Sequence, residues 1–489
     1  MVRDKDVLKS SIVQGFGTLI AREFFLKVLS FIGQVFLARL LAPSDFGIYV
    51  IIVFVVNFLA LFADVGLSLA IIQKHEEPTK QELSGVFALK MLLSLVIVIL
   101  LWVFAPLVKE IYPSFTEANI LMIRLLSLII LTGSIRSVPI ALLERKLKYN
   151  VISVIDIFGV FTYYLIALPF AFLHFGVWSF ILGALIKEVG ETILLYLLQP
   201  FWPQFNAFKV NIKNMVKFGV YIQGNSFVSI ANSSITPVIA GKLSGAYAVG
   251  LLDFAYNIAS LPETIAINFG RVAFAGFSRI QEEKEILLNS ISKSISMLAI
   301  ILYIFPVVIF GLGKELVPLI FSAKWIVALP ALYWYSAGAF FLPIIYSLGQ
   351  GILVIGKSKT LFWTTLLTVT AGWAMAFLLI HYLGFVGIAI TYFLISLVFC
   401  FAYLIIFARY GYKLAVISLL GPKLLVAILT FLSILVMNFI FPQANLILII
   451  KLIIAVLAYL LCTYIFVKQD FVEFTQLILN WLSPKSDNE

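Results

Sequence analysis

Long apolar runs recur along this chain from residue 12 to residue 467, and the polar segments between them are short. A run of about 20 apolar residues is long enough to cross a bilayer as a helix. The runs are unbroken, whereas the strands of a transmembrane barrel alternate polar and apolar residues. Charged residues make up only 12% of the chain, against about 25% in a typical soluble domain. These features predict an all-α protein that crosses a membrane many times.

The apolar runs divide into fourteen predicted transmembrane helices. Their ranges are 12–38, 46–73, 83–107, 119–143, 151–173, 176–198, 214–240, 246–273, 286–311, 327–354, 360–381, 384–408, 415–440 and 446–467. With the N-terminus in the cytoplasm, twenty Lys and Arg residues fall on the cytoplasmic side and five fall on the other side. Cytoplasmic loops of membrane proteins carry such an excess of positive charge. The bias supports this topology with both termini cytoplasmic, and it explains the net charge of +10 without nucleic-acid binding.

Features that indicate other classes of protein are missing from the sequence. The first apolar run carries charge and no small-residue cleavage site follows it, so we expect it to be retained rather than removed as a signal peptide. Cys400 and Cys462 lie within apolar runs and are expected to be small buried residues. The segment HEEPT at 75–79 lacks the second histidine of a zinc-binding HExxH helix, and Pro78 would break such a helix. The sequence predicts no metal site, no cofactor, no catalytic residue and no enzyme.

Two parts of the chain resemble one another. Residues 15–41 align with residues 217–244, and in the next helix of each part a glycine follows in the same register, Gly47 and Gly250. This repeat predicts two pseudo-symmetric six-helix bundles related by an axis along the membrane normal, an arrangement common in transporters.

The longest interior polar break divides the chain. The predicted segments are an N-terminal six-helix lobe (1–198), a cytoplasmic linker (199–213), a C-terminal six-helix lobe (214–408), helices 13 and 14 (409–467) and a cytoplasmic amphipathic tail (468–489). Apolar residues recur at helical spacing in the tail, which predicts a helix lying on the membrane surface.

The first predicted helix contains three ionisable residues, Arg22, Glu23 and Lys27. Between Lys27 and Arg39 the helix spans about 17 Å at 1.5 Å per residue, whereas the hydrocarbon core is about 30 Å thick. The three charges must therefore lie within the membrane, where each costs roughly 2.5–3.5 kcal/mol. We expect them to face protein or a water-filled cavity.

A polar stripe runs along the same helix. It consists of Glu23, Lys27, Ser30 and Gln34, and the aligned positions of the seventh helix are Asn225, Ser229, Asn232 and Thr236. Residues at these intervals share one helix face, and Glu23 and Lys27 have the spacing of a favourable ion pair. Arg22 lies off the stripe, so within its own helix it is the unpaired charge.

Other ionisable residues lie deep in the predicted helices of the N-terminal half. Asp64 lies in the second helix, and Lys187 and Glu191 lie four residues apart in the sixth. We expect Arg22, Lys27 and Lys187 to line a cavity, and the alternative is a buried ion-pair network between the first and sixth helices. Three residues lie near cytoplasmic ends, where long side chains reach the interface: Lys90, Arg136 and Asp156.

The segment QVFLARLLAPSDFGIYVIIVFVVNFLALFADVGLSLAIIQ at 34–73 resembles the N-terminal region of bacterial polysaccharide-export flippases. These are the Wzx-type members of the multidrug/oligosaccharidyl-lipid/polysaccharide (MOP) superfamily, and the resemblance is greatest to the branch associated with colanic-acid and teichuronic-acid export. The matching pattern is Ala-Arg-Leu-Leu, Pro43, Phe46-Gly47-Ile48-Tyr49, Phe62-Ala63-Asp64-Val65-Gly66-Leu67-Ser68 and Ile72-Gln73. The turn LLERKLKYN at 142–150 is also similar to the family's loop after the fourth helix.

The resemblance implies a MATE-like fold and a flippase of the bacterial inner membrane. Such proteins move undecaprenyl-pyrophosphate-linked oligosaccharide units to the outer leaflet by alternating access, with the extra C-terminal helices accommodating the lipid tail. The implied partners are this glycan, the lipid bilayer, a polysaccharide polymerase and the chain-length machinery.

Arg and Lys suit the binding of phosphate, and an intramembrane carboxylate suits coupling to a proton or cation. The candidate substrate-binding residues are Arg22, Lys27, Gln34, Lys187, Asn225, Ser229 and Asn232, and the candidate ion-coupling residues are Glu23, Asp64 and Glu191.

Two other functions stay open. A MATE-like multidrug or cation antiporter would favour an acidic cavity, whereas the deep basic residues here are at least as prominent. A membrane-bound polysaccharide polymerase or ligase would carry a large extracytoplasmic loop, and no predicted loop is long enough.

Overall fold

The computed structural model describes residues 25–64, 66–74, 76–204, 227, 230–441 and 445–482. Regular structure in these ranges is helical, because a backbone in lipid has to satisfy its hydrogen bonds within its own segment. Eleven helices of the described ranges are long and apolar enough to cross a membrane. The total of fourteen stays a prediction, since much of the first and seventh predicted helices lies outside the described residues.

The chain forms two compact units, Met1–Gly250 and Leu251–Glu489. The helices of the first unit are α1 (25–40), α2 (Pro43–Ala63), α3 (Leu67–Gln73), α4 (Lys80–Phe104), α5 (Val108–Ile111), α6 (Glu117–Arg145), α7 (Tyr149–Phe172), α8 (Trp178–Leu198) and α9 (230–240). Helix α10 (Gly241–Ala259) crosses from the first unit into the second. The predicted lobe boundaries at 198 and 214 stay a prediction.

The second unit contains the remaining helices. They are α11 (Leu261–Ser278), α12 (Lys284–Leu302), α13 (Ile304–Ile320), α14 (Leu329–Gly338), α15 (Leu342–Val354), α16 (Ser358–Leu383), α17 (Val386–Arg409), α18 (Val416–Ile440), α19 (Asn445–Phe466) and α20 (Lys468–Leu482). Their core is apolar and includes Ile291, Leu348, Phe407 and Ile434.

Several helices predicted as continuous are divided in the structure. The prediction of one continuous helix over 46–73 is wrong, because α2 ends at Ala63 and α3 begins after Gly66. Gly66 has a φ of 67°, a left-handed conformation that glycine adopts without steric cost. The predicted helix 246–273 is likewise divided into α10 and α11, with Pro262 in the first turn of α11, where proline is tolerated.

Charged side chains attach helix α20 to the rest of the second unit. Asp470 accepts hydrogen bonds from Lys423 on α18 and from Ser296 on α12. Glu473 pairs with Lys293 at 2.9 Å. Because the side chain of Lys423 is only 6% exposed, its ammonium depends on Asp470 for a counter-charge. The Asp470 contacts therefore fix the start of α20 against two membrane helices.

The Asp470 contacts make the attachment of α20 dependent on pH. Burial alone would raise the pKa of Asp470, but the hydrogen bonds from Lys423 and Ser296 outweigh burial and lower this pKa below its usual value near 3.8. A carboxyl whose pKa is lowered by folding stabilises the fold above its unfolded pKa, and this contribution is lost as the pH falls through the folded value. We expect Asp470→Asn to accelerate amide hydrogen exchange in α20 at neutral pH, and in the wild type we expect the same acceleration only below about pH 3.8. The control Glu473→Gln should change this exchange little, because its partner Lys293 is 61% exposed and exposed pairs contribute little.

Candidate functional site

A partly polar cavity of about 300 Å³ lies in the first unit, between α1, α2, α6, α7 and α8. Its polar lining consists of Ser30, Tyr49, Asn57, Tyr163, Tyr164, Lys187 and Glu188. The volume is at the lower end of the range for small-molecule pockets, about 300–1,000 Å³. A cavity of this size accommodates a phosphate group or a single sugar ring, and a whole lipid-linked repeat unit is larger.

Close packing of α7 against its neighbours shapes the cavity. The hydroxyl of Tyr164 donates to the Ser30 carbonyl at 2.9 Å, which ties α7 to α1. On the other side of α7, a Cβ at Gly159 would lie only 1.6 Å from Oε1 of Glu191. Glycine at position 159 therefore lets the Glu191 carboxylate lie directly against the backbone of α7.

A charge network links α6 to α8 beside the cavity. The guanidinium of Arg136 contacts Oε2 of Glu191, and its Nη2 lies 3.2 Å from Oε2 of Glu188. The side chain of Glu191 is only 6% exposed, so its charge depends on this partner. Two acidic side chains are thus compensated mainly by one arginine.

Lys187 is the second basic residue of the network, and its ammonium is less engaged than the guanidinium of Arg136. Its Nζ lies 3.8 Å from Oε1 of Glu191, which is longer than a hydrogen bond. The side chain is 32% exposed and lines the cavity. An ammonium group has three donors, and those of Lys187 are available to a phosphate or hydroxyl oxygen in the cavity.

Asp64 belongs to a different pair. Its Oδ1 lies 3.0 Å from Nζ of Lys90, and Lys90 also donates to Ser68 at 3.0 Å. The side chain of Lys90 is only 5% exposed, whereas that of Asp64 is 55% exposed. The side chains of Lys90 and Arg136 both turn towards carboxylates within the unit, and their reach to the membrane interface stays a prediction. The structure thus brings Lys187 and Glu191 together and holds Asp64 in a separate pair.

The other predicted site residues are partly described. Lys27 is exposed and Gln34 is partly buried on α1, and Asn232 is exposed on α9. Four lie outside the described residues: Arg22, Glu23, Asn225 and Ser229. Their assignment, including the Glu23–Lys27 ion pair, stays a prediction.

Sequence reasoning missed the central place of Arg136 in the network. The spacing of Lys187 and Glu191 on one helix reveals that they are neighbours. Arg136 lies more than fifty residues earlier, on another helix. The available signal was its charge alone, and charge does not identify a partner.

Comparison with known proteins identifies the family. Residues 36–330 match the family described as polysaccharide biosynthesis protein. The chain belongs to this family. The resemblance found in residues 34–73 is thereby confirmed, and the chain is a multi-pass membrane protein.

Two relatives illustrate the range of family members. The chain is 30% identical over 315 residues to an uncharacterized membrane protein in the cps region of Klebsiella pneumoniae, covering 62% of this chain and 63% of that protein. It is 23% identical over 313 residues to the teichuronic acid biosynthesis protein TuaB of Bacillus subtilis, with 63% of each chain covered. The chain thus spans about 63% of the length of these relatives.

The fold is that of a solved transporter. The lipid II flippase MurJ, in its inward closed conformation, aligns with a TM-score of 0.76 over 92% of this chain and 98% of that chain, at 16% identity. This similarity confirms the all-α membrane fold that the sequence predicts for this chain.

Proposed function

We propose that this protein is a flippase for undecaprenyl-pyrophosphate-linked oligosaccharide repeat units. It moves them by alternating access from the cytoplasmic to the outer leaflet of the bacterial inner membrane, with both termini in the cytoplasm and without enzymatic activity. The observation that carries this proposal is membership of a polysaccharide biosynthesis family by a chain with the fold of the lipid II flippase MurJ. The family supports a substrate of polysaccharide biosynthesis, and the fold supports transport across the membrane.

The cavity of the first unit supplies chemistry suited to such a headgroup. Lys187 offers an ammonium for a pyrophosphate or sugar oxygen, while Arg136 and Glu191 hold α6 and α8 in place around it. Charge-assisted hydrogen bonds to phosphate are about twice as strong as neutral ones. The remaining polar lining, including Asn57 and Tyr163, suits hydroxyl groups of a sugar. Lys187 is therefore the proposed anion-binding residue, and Arg136 is the proposed positioning residue.

An apolar cavity in the second unit suits the lipid part of the substrate. Its volume is about 250 Å³, and its lining includes Pro262, Phe305, Ile309 and Leu452. Leu452 belongs to α19, one of the two helices that follow the predicted six-helix lobes. A prenyl chain carries no hydrogen-bonding groups, so an apolar cavity suits it, and α19 is proposed to guide the tail while the headgroup crosses.

The test is reconstitution of the full chain into vesicles with a fluorescent undecaprenyl-pyrophosphate glycan. We expect the wild type to exchange the glycan between leaflets and Lys187→Gln to lower the rate about ten- to a hundredfold, since hydrogen bonds to charged groups contribute roughly 1.5–3 kcal/mol. The matched control is Lys109→Gln, because Lys109 pairs with the exposed side chain of Glu117 away from the cavity. A wild-type rate in Lys187→Gln, with unchanged thermal stability, would reject the role of Lys187. Export of cationic drugs without glycan exchange would favour the antiporter alternative.

A further inference from the structure

Helix α4 ends at a turn that contains a proline, and this leaves one backbone carbonyl without its helical partner. In an α-helix the carbonyl of Trp102 would accept from the N–H of residue 106, but Pro106 has no N–H. The helix accordingly ends at Phe104 and continues as a short 3₁₀ turn, Ala105–Leu107. Arg124 on α6 supplies the missing donor, because its Nε donates to the Trp102 carbonyl at 3.0 Å.

The contact between α4 and α6 is reciprocal. The indole Nε1 of Trp102 donates to the carbonyl of Arg124 at 3.0 Å and to Oγ of Ser127 at 3.2 Å. The Ser127 hydroxyl in turn donates to the Arg124 carbonyl at 2.6 Å. Fixing an arginine side chain ordinarily costs rotamer entropy. The contact with Trp102 already holds the guanidinium in one place, so a ligand that binds it there has less entropy to overcome.

Most of the hydrogen-bonding capacity of Arg124 is unused. A guanidinium has five N–H donors, and the Trp102 carbonyl takes the one on Nε. Within the described ranges, neither Nη1 nor Nη2 of Arg124 forms a hydrogen bond or an ion pair. Glu117, two turns earlier on the same face of α6, is paired with Lys109. The partly exposed guanidinium therefore offers two N–H₂ groups, whose fork suits the oxygens of a phosphate.

The surface beside this guanidinium is apolar. Large side chains at helical spacing form an exposed stripe along α4, and each is between 45% and 62% exposed: Leu92, Leu95, Val96, Ile99 and Val103. Trp102 lies at the end of the stripe and is 43% exposed, and Leu121 on α6 is 46% exposed. From residue 92 to residue 103 the stripe is about 16 Å long. Half of a hydrocarbon core of about 30 Å has the same length, so the stripe matches one lipid acyl chain.

The position of Arg124 along α6 corresponds to the depth of a lipid headgroup. The 29 residues of α6 extend about 43 Å, which matches a bilayer of about 40–45 Å with its headgroups included. Arg124 follows the first residue of α6, Glu117, by about 10 Å. Side chains on a helix tilt towards its N-terminus, so that of Arg124 extends from the edge of the hydrocarbon towards the headgroups. Tryptophan is enriched at the same depth.

We propose that Arg124 and Trp102 form a binding site for an anionic phospholipid. The phosphodiester accepts hydrogen bonds from Nη1 and Nη2 of Arg124, and one acyl chain lies along the exposed stripe of α4. In the proposed topology this end of α6 faces the extracytoplasmic leaflet. The bound lipid would add a further link between α4 and α6 where Pro106 interrupts the helix.

The test is native mass spectrometry of the purified full chain, which counts the lipids bound to each protein molecule. The protein is titrated in detergent with phosphatidylglycerol, and in parallel with phosphatidylcholine of the same acyl chains, whose headgroup has no net charge. We expect the wild type to bind phosphatidylglycerol at the lower concentration. Arg124→Gln should weaken the binding of the first phosphatidylglycerol about ten- to a hundredfold, because charged hydrogen bonds to the phosphate are lost.

A second variant separates lipid binding from the fold. Arg124→Gln also removes the donor to the Trp102 carbonyl, and combining it with Pro106→Ala restores an N–H four residues after Trp102. We expect the double variant to unfold near the wild-type temperature in lipid-free detergent and to bind phosphatidylglycerol as weakly as Arg124→Gln. Two controls should bind it like the wild type. Pro106→Ala alone keeps the guanidinium, and Lys109→Gln removes a nearby positive charge that is already paired with Glu117.

Three results would overturn the proposal. Wild-type affinity for phosphatidylglycerol in the double variant would mean that Arg124 only completes the end of α4. Equal affinity of the wild type for the two phospholipids would mean that no charge is recognised. Tighter binding of undecaprenyl pyrophosphate, lost in the same double variant, would assign the site to a polyprenyl lipid instead. None of these measurements requires glycan exchange, so they stand or fall independently of the proposed flippase function.

Discussion

Replacing Arg136 by methionine is expected to lower the free energy of unfolding by about 3–5 kcal/mol, the usual cost of removing one partner of a buried ion pair. Methionine fills similar volume but leaves Glu188 and Glu191 without their guanidinium. Lys187 compensates only in part, since its Nζ lies 3.8 Å from Glu191. The measurement is thermal unfolding of the purified protein in detergent, compared with the wild type under the same conditions.

Two further variants separate lost charge from lost packing. The double variant Arg136→Met with Glu191→Gln should recover part of the stability, because the most buried negative charge is also removed. Lys109→Met is the control for an exposed pair and should change stability little, since its partner Glu117 is 86% exposed. If Arg136→Met unfolds at the wild-type temperature, the network does not support the fold.

Adding a methyl group at Gly250 is expected to lower the free energy of unfolding by more than about 3 kcal/mol, the upper range of ordinary overpacking. A Cβ there would lie 1.8 Å from the carbonyl oxygen of Pro43, and a Cβ at Gly47 would lie 1.6 Å from the carbonyl oxygen of Ala246. Both obstacles are backbone atoms, so no side-chain rotation relieves them. Gly250→Ala and Gly47→Ala should each reduce the amount of folded protein in the membrane and its unfolding temperature.

The control for the glycine substitutions is Gly133→Ala on α6. A Cβ at Gly133 meets no atom within 4 Å, and alanine is favoured over glycine in a helix by roughly 0.5–1 kcal/mol. This variant should therefore be as stable as the wild type or slightly more stable. Equal stability of Gly250→Ala and Gly133→Ala would mean that α2 and α10 do not pack as closely as the structure has them.

The contact between Gly47 and Gly250 shows what a sequence repeat can predict and what it cannot. Gly47 and Gly250 occupy corresponding positions of the two repeats, and this could be predicted from alignment alone. Their direct apposition could not, because an alignment gives equivalent positions and not distances. Glycine is required at both positions because the backbone of the other helix leaves no room for a Cβ.

Composition and hydrophobic pattern by themselves determined that this chain is a helical membrane protein. In lipid each backbone amide has to form its hydrogen bond within its own segment, so long apolar runs form membrane-spanning helices. The residues of 34–73 likewise sufficed to indicate the family, because the family pattern is local in sequence. The break between α2 and α3 was missed although Gly66 lies within that segment, since a single glycine is compatible with either a turn or a continuous helix.

Only the tertiary structure decided which charges meet. Helical spacing relates Lys187 to Glu191, but Arg136 reaches Glu188 and Glu191 from another helix, and Arg124 reaches the carbonyl of Trp102 on another helix. Such partners are separated by long stretches of sequence, so their meeting depends on how helices pack. The physical reason is that the free-energy cost of a charge in the membrane depends on its surroundings within a few ångströms. The local sequence does not specify those surroundings.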